Sequence, residues 1–189
     1  MNGLLSRHRL VAFALVAACL VPAAASAQDA AARRFMVGGG LGGSFGLNRG
    51  LDSQFKLEQF VGYSIVPVRD HPGLFIAGVF SQGFIDYVRL TWAVRLGFAI
   101  QVFHHSDFEV LVTPLMQFGG TGFFPPNGNA GGAFNWMFGV QGEFVLFDGL
   151  LGLFFRPLAF DLNFGERFGF GGFDVLSYYE LMTGVVIRL

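Results

Sequence analysis

The chain has 189 residues, which suits one domain, and combines 53% hydrophobic residues with only 13% charged ones and a formal net charge of -1. A mean hydropathy of +0.54 argues against a water-soluble surface, where about a quarter of residues carry charge, and the near-neutral balance offers nucleic acid no basic patch. Beyond the N-terminal segment no apolar run reaches the roughly 20 residues of a spanning helix, so the apolarity points to strands with one lipid-facing side.

The chain opens as an export signal over residues 1–27. Arg7, His8 and Arg9 give a positive start, Leu10 to Val21 an apolar core, and Ala25-Ser26-Ala27 an A-x-A cleavage site before Gln28. Cys19, the only cysteine, lies inside it, so the mature chain is expected to lack thiols. A lipobox reading of Val16-Ala17-Ala18-Cys19 competes, but the residues after Cys19 stay apolar through Val21 where a lipidated tether turns polar. Residues 28–33 form a short N-terminal segment, and the barrel described next takes residues 34–189.

Eight strands are expected. The first, Arg34 to Phe45, sets Phe35, Val37, Leu41 and Phe45 against Met36, Ser44 and several glycines. Its GGGLGG run lacks the helix and lysine of a phosphate-binding loop and reads as a glycine-rich strand. Gln54 to Val66 alternates Phe55, Leu57, Val61, Tyr63 and Ile65 with Lys56, Glu58, Phe60, Gly62 and Ser64, and Arg69 to Gly73 has turn chemistry. Leu74 to Gly83 carries apolar residues on both alternations, so its facing stays open. Tyr87 to Val102 is the clearest strand. Val88, Leu90, Trp92, Val94, Leu96, Phe98, Ile100 and Val102 fall on every second position, with Arg89, Thr91, Arg95 and Gln101 between them. A tilted strand needs roughly 10 residues to cross a bilayer's hydrocarbon, and this one suffices.

After a turn at His104 to Asp107, Phe108 to Gly119 forms the fifth strand, in which Pro114 predicts a bulge or a gap in pairing. Gly120 to Gly132 reads as a long loop. Ala133 to Phe147 opposes Phe134, Trp136, Phe138, Val140, Phe144 and Leu146 to Asn135, Gly139, Gln141 and Glu143, and Asp148-Gly149 marks a tight hairpin. Leu151 to Phe160 is apolar apart from Arg156, Asp161 to Leu176 reads as the longest loop, and Ser177 to Leu189 closes the chain. Brief turns follow strands two, four and six, and longer loops follow one, five and seven.

These features together resemble the eight-stranded outer-membrane barrels of the OmpA/OmpX type, with a weaker likeness to the OmpW-like ones. The resemblance implies an all-β, antiparallel, up-and-down transmembrane barrel in a Gram-negative outer membrane. It implies membrane lipid and lipopolysaccharide around it and assembly by the barrel-assembly machinery; with nothing following the last strand, the peptidoglycan-binding domain of the longer relatives is expected to be absent. Members usually finish on an aromatic residue that this machinery reads; the present chain finishes Val185-Val186-Ile187-Arg188-Leu189.

With oily residues outward, the interior receives Lys56, Glu58, Arg89, Arg95, Glu109, Glu143, Arg156, Glu180 and Arg188. The up-and-down path places Lys56, Glu58, Arg89 and Glu180 near the outer end, Arg95, Glu143 and Arg156 at mid-height, and Glu109 with Arg188 near the periplasmic end. Both signs in every layer predict paired charges filling the barrel instead of an open pore, since a selective pore carries a ring of one sign. A hydrophobic mouth is the competing feature: Phe123, Phe124, Phe164, Phe168, Phe170 and Phe173 put aromatics in the expected outer loops, where they serve either a small hydrophobic ligand or an interfacial girdle. His104-His105-Ser106-Asp107 tempts a hydrolase reading, but it falls in a turn, and Glu109 stands too near for the His-x-Ser arrangement of barrel lipases. It reads as a polar turn. No catalytic, metal or cofactor motif is assigned, and the expected role is non-enzymatic, structural or surface-interacting, with a narrow hydrophobic conduit as the alternative. A soluble lipocalin-like carrier would turn the same alternation inside out.

Overall fold

The computed structural model describes residues 33–48, 51–68, 72–126, 130–166 and 173–189, with only the backbone of Glu166, Phe173 and Asp174. The expected signal over residues 1–27 lies outside them. Eight strands are formed: β1 (Phe35–Gly46), β2 (Gln54–Val66), β3 (Gly73–Phe84), β4 (Val88–His104), β5 (Phe108–Phe124), β6 (Gly131–Leu146), β7 (Leu151–Glu166) and β8 (Phe173–Arg188). Each pairs antiparallel with its sequence neighbours, and β8 closes on β1, giving the expected up-and-down barrel. Reciprocal backbone bonds between Phe35 and Leu189, at 3.1 and 2.8 Å, seal the seam at the end that carries the termini. Closure leaves no edge strand, which is the condition for a sheet to sit in hydrocarbon.

The register fixes the shape. Following paired residues once round from Met36 leads through Gly62, Ala77, Arg95, Gln117, Met137, Asp161 and Tyr178 to Gly46, ten positions further along β1. Such a stagger over eight strands tilts them by roughly 40° and leaves an interior that side chains can fill. The 17-residue β4 and β5 then extend about 40 Å along the axis, more than the hydrocarbon needs.

The facing follows the alternation. Trp92, Phe98, Trp136 and Phe138 are 41–52% exposed on the outer wall, whereas Arg95 and Glu143 are buried. The inside-out lipocalin arrangement is therefore overturned. The open facing of β3 resolves with Ala77, Val79 and Ser81 inward and Leu74 and Ile76 outward.

Three strand details matter for the site. Pro114 lacks an amide hydrogen, and the β4–β5 ladder is interrupted between Gly97–Leu115 and Ile100–Val112 while β5–β6 pairing continues through Pro114–Val140. Pro157 creates a bulge in β7, where pairing with β8 jumps from Arg156–Met182 to Ala159–Glu180. The Asp148-Gly149 hairpin forms a tight turn with φ of 52° and 88°, closed by Leu150 N donating to Phe147 O at 3.1 Å.

Two expected loops prove too long. Residues 120–124 continue β5 by pairing with β4, and 120–123 pair with β6 as well, while residues 161–166 and 173–176 continue β7 and β8. Loop signals from glycine and proline are overridden there because a tall neighbouring strand offers a full ladder. The connections left at the end opposite the termini are 47–53, 85–87, 125–130 and 167–172, so the asymmetry of loop lengths is weaker than expected.

Candidate functional site: the barrel interior

The interior is a stack of two ionic clusters between two apolar lids, with a cavity beneath. In its middle, Glu58 of β2 accepts from two guanidinium groups at once. Arg95 of β4 donates to its two oxygens at 2.8 and 2.6 Å, and Arg156 of β7 at 3.0 and 3.2 Å. Two forks on one carboxylate leave like charges side by side, and neutral amides hold them in place: Gln117 accepts from Arg95 at 2.8 and 3.2 Å, and Gln141 from Arg156 at 3.2 Å.

Above this, toward the loop end, Lys56 donates to Glu180 at 2.5 Å, and Arg89 donates to Glu180 at 3.2 Å and to Ser44 at 2.9 Å. Asp161 completes the cluster, 3.5 Å from Arg89 and 3.8 Å from Lys56. An amide relay joins the clusters: Gln117 donates to Asn135, Asn135 to Asp161 and Asn163, and Asn163 to Asp161. Every charged side chain in these two clusters is at most 2% exposed. Burying seven ionic groups is tolerable only because each has an opposite charge and hydrogen bonds at hand.

Apolar lids lie on both sides. At the loop end Phe123, Leu176 and Tyr178 pack with Leu51, Tyr87 and Ala133. The Arg89 guanidinium sits 4.2 Å over the Tyr178 ring, and the Tyr178 hydroxyl is hydrogen-bonded to that of Tyr87. Burial raises the pKa of Tyr87, in the β3–β4 connection, so it stays a neutral hydroxyl. Toward the termini Met36, Phe60, Ala77, Val79, Phe154, Met182 and Val186 form a second lid with Phe75. Glycines make its fit possible: a Cβ on Gly40 or Gly184 would meet the Phe154 ring at 2.7 or 2.6 Å, and one on Gly38 would meet Phe60 at 2.3 Å.

Below this lid, at the terminus end, is a cavity of about 90 Å³ lined in part by Arg33, Glu109, Glu143 and Arg188. Arg188 contacts Glu143 at 2.6 Å, while Glu109 pairs with the exposed His104 at 3.2 Å.

The expected interior charges thus all reach the lumen or its mouth, but in different layers from those assigned. Glu58 joins Arg95 and Arg156 instead of the outer-end group, and Glu143 joins Arg188 instead of the mid-height group, because strand tilt separates counting along a strand from height along the axis. The expected all-charge filling is corrected as well, since Phe60, Phe154 and their neighbours occupy the terminus side. Asp161 and Asn163 join this interior from residues that the sequence reads as a loop. The signal was present: past Pro157, the run Ala159 to Phe164 alternates small or polar with large apolar residues, and the bulge brings its polar set onto the face of Arg156.

The hydrophobic mouth does not assemble among the described residues. Phe123 points inward and is 4% exposed, Phe124 points outward and is 43% exposed, and Phe164 lies against the outward Phe134 with ring centroids 6.4 Å apart. Because these positions lie in strands, alternation sends them to opposite faces. Phe168, Phe170 and the Phe173 side chain lie outside the described residues. In the His104 to Asp107 turn, His105 Nδ1 is 3.2 Å from Ser106 Oγ, but a different ring, that of His104, meets Glu109. A serine, base and carboxylate in line are not formed there.

No protein-family model matches the chain, and no curated protein does either. Solved structures do. Neisserial surface protein A aligns with a TM-score of 0.53 at 13% identity, over 82% of this chain and 97% of that one. The outer membrane enzyme PagL aligns with a TM-score of 0.50 at 11% identity, over 82% and 99%. At such identities the likeness shows the fold. Joined to the oily outer wall and ion-paired interior, it makes this chain an eight-stranded transmembrane β-barrel of the outer-membrane type.

Proposed function

We propose that the protein is a closed, non-enzymatic barrel of the outer membrane whose role is structural or surface-interacting. The observation that carries this reading is the stacked interior, two salt-bridged clusters held between the Tyr178 and Phe154 lids. A solute crossing the lumen would have to displace both lids and desolvate at least four ion pairs, at a cost of several kcal/mol for each broken pair. A hydrophobic molecule faces the same polar middle, which gives it no favourable path.

PagL is an enzyme of like fold, so chemistry deserves a direct test. Purified protein in liposomes containing lipopolysaccharide should release no acyl chains and should admit a hydrophobic fluorophore no faster than empty liposomes. Hydrolysis would overturn the non-enzymatic reading, and protein-dependent entry of the fluorophore would overturn the closed one.

A further inference from the structure

Outward polar side chains on the wall are mostly satisfied within the sheet. Thr183 donates to Phe154 O at 3.0 Å, and Tyr179 donates to Pro157 O, a carbonyl freed by the bulge. Gln59 differs. It stands near the middle of β2, opposite Gly39 and Phe80, exposed on the lipid side, and it makes no side-chain hydrogen bond among the described residues. Gln82 on β3 is also unpartnered, but it lies close to the strand's loop end, within reach of headgroups.

Gln59 borders an open groove of about 570 Å³ in the outer wall. Gly39, Gly40 and Gly184 form its floor, and Leu41, Leu57 and Val185 its sides. The far wall is different at this height, where Met116, Phe138 and Leu158 present large exposed side chains. An acyl chain can fill the groove, but it offers a carboxamide neither donor nor acceptor, and an unpaired amide in hydrocarbon is costly. A second carboxamide offers both.

We propose that the β1–β2 face is where two copies of this chain meet in the membrane, related by a two-fold axis beside Gln59. Each Gln59 donates its amide hydrogen to the other's oxygen across that axis. The contact is isologous, so it closes at a dimer. It rests on the lipid-facing reading of the wall and is independent of the task proposed above.

The test uses the protein reconstituted in phospholipid vesicles and in detergent micelles. With Cys19→Ser as background, Gln59→Cys should cross-link into a dimer on addition of an oxidant, and Val94→Cys, at similar height on β4, should not. Sedimentation equilibrium in micelles should show a dimer that Gln59→Leu weakens about tenfold, the worth of two amide hydrogen bonds in a membrane. Heat-modifiable mobility in gels verifies that each variant is a folded barrel. Equal cross-linking at the two positions, undiminished dimerisation of Gln59→Leu, or a monomer retaining a bound phospholipid would each overturn the proposal, the last assigning the groove to lipid.

Discussion

Removing the charge of Glu58 tests the energetics of the interior most sharply. The carboxylate receives four hydrogen bonds of 2.6–3.2 Å from Arg95 and Arg156, and all three side chains are essentially inaccessible. Glu58→Gln keeps the shape but leaves two buried guanidinium groups facing one another without an anion. Breaking a buried pair in this way costs about 3–5 kcal/mol, because the surviving charge cannot return to water. Replacing all three residues, as Glu58→Leu with Arg95→Met and Arg156→Met, removes the burden along with the pairing and should recover most of the loss. Urea unfolding in vesicles, followed by the fluorescence of Trp92 and Trp136 on the outer wall, measures both variants. A single variant within about 1 kcal/mol of the parent, or a triple variant no better than the single, would refute the claim that ion pairing is what makes this interior tolerable.

Other expectations follow from the packing. Gly184→Ala should sharply lower the folded fraction, because its Cβ would lie 2.2 Å from Gly39 O, a backbone atom that trimming Phe154 to leucine cannot relieve; Gly120→Ala, whose nearest neighbour is 4.0 Å away, should fold normally. Phe154→Ala should cost about 3–5 kcal/mol in the same urea assay, since the ring is 1% exposed and fills the terminus-side lid. Tyr179→Phe should cost about 1 kcal/mol by leaving the Pro157 carbonyl unpaired in the lipid-facing wall. Both tryptophans should be quenched by lipids brominated in their acyl chains, and quenching only by aqueous iodide would contradict the outward facing of Trp92 and Trp136.

The architecture was readable because a barrel wall imposes period two on every strand, and between Tyr87 and Val102 nothing interrupts it. Charges such as Lys56, Arg89 and Arg95 declared the inner face by standing opposite tryptophan and phenylalanine. What escaped depended on long-range geometry. Gly120-Thr121-Gly122-Phe123-Phe124 has the local chemistry of a loop and becomes strand only because β4 and β6 flank it. Pairings such as Glu58 with Arg156, 98 residues apart, depend on the ten-residue stagger, which no single strand displays. Phe60 and Phe154 look like lipid-facing residues in composition; their inward place follows from alternation, and their fit from glycines on β1 and β8.

Single-channel recording in planar bilayers tests the closed interior most directly. Purified wild-type barrel should show no resolvable conductance steps, while Phe60→Ala combined with Phe154→Ala, which thins the terminus-side lid, should raise leak without reaching porin levels. Large, stable openings of the unaltered protein would contradict a lumen filled by the Glu58, Arg95 and Arg156 cluster and its two lids.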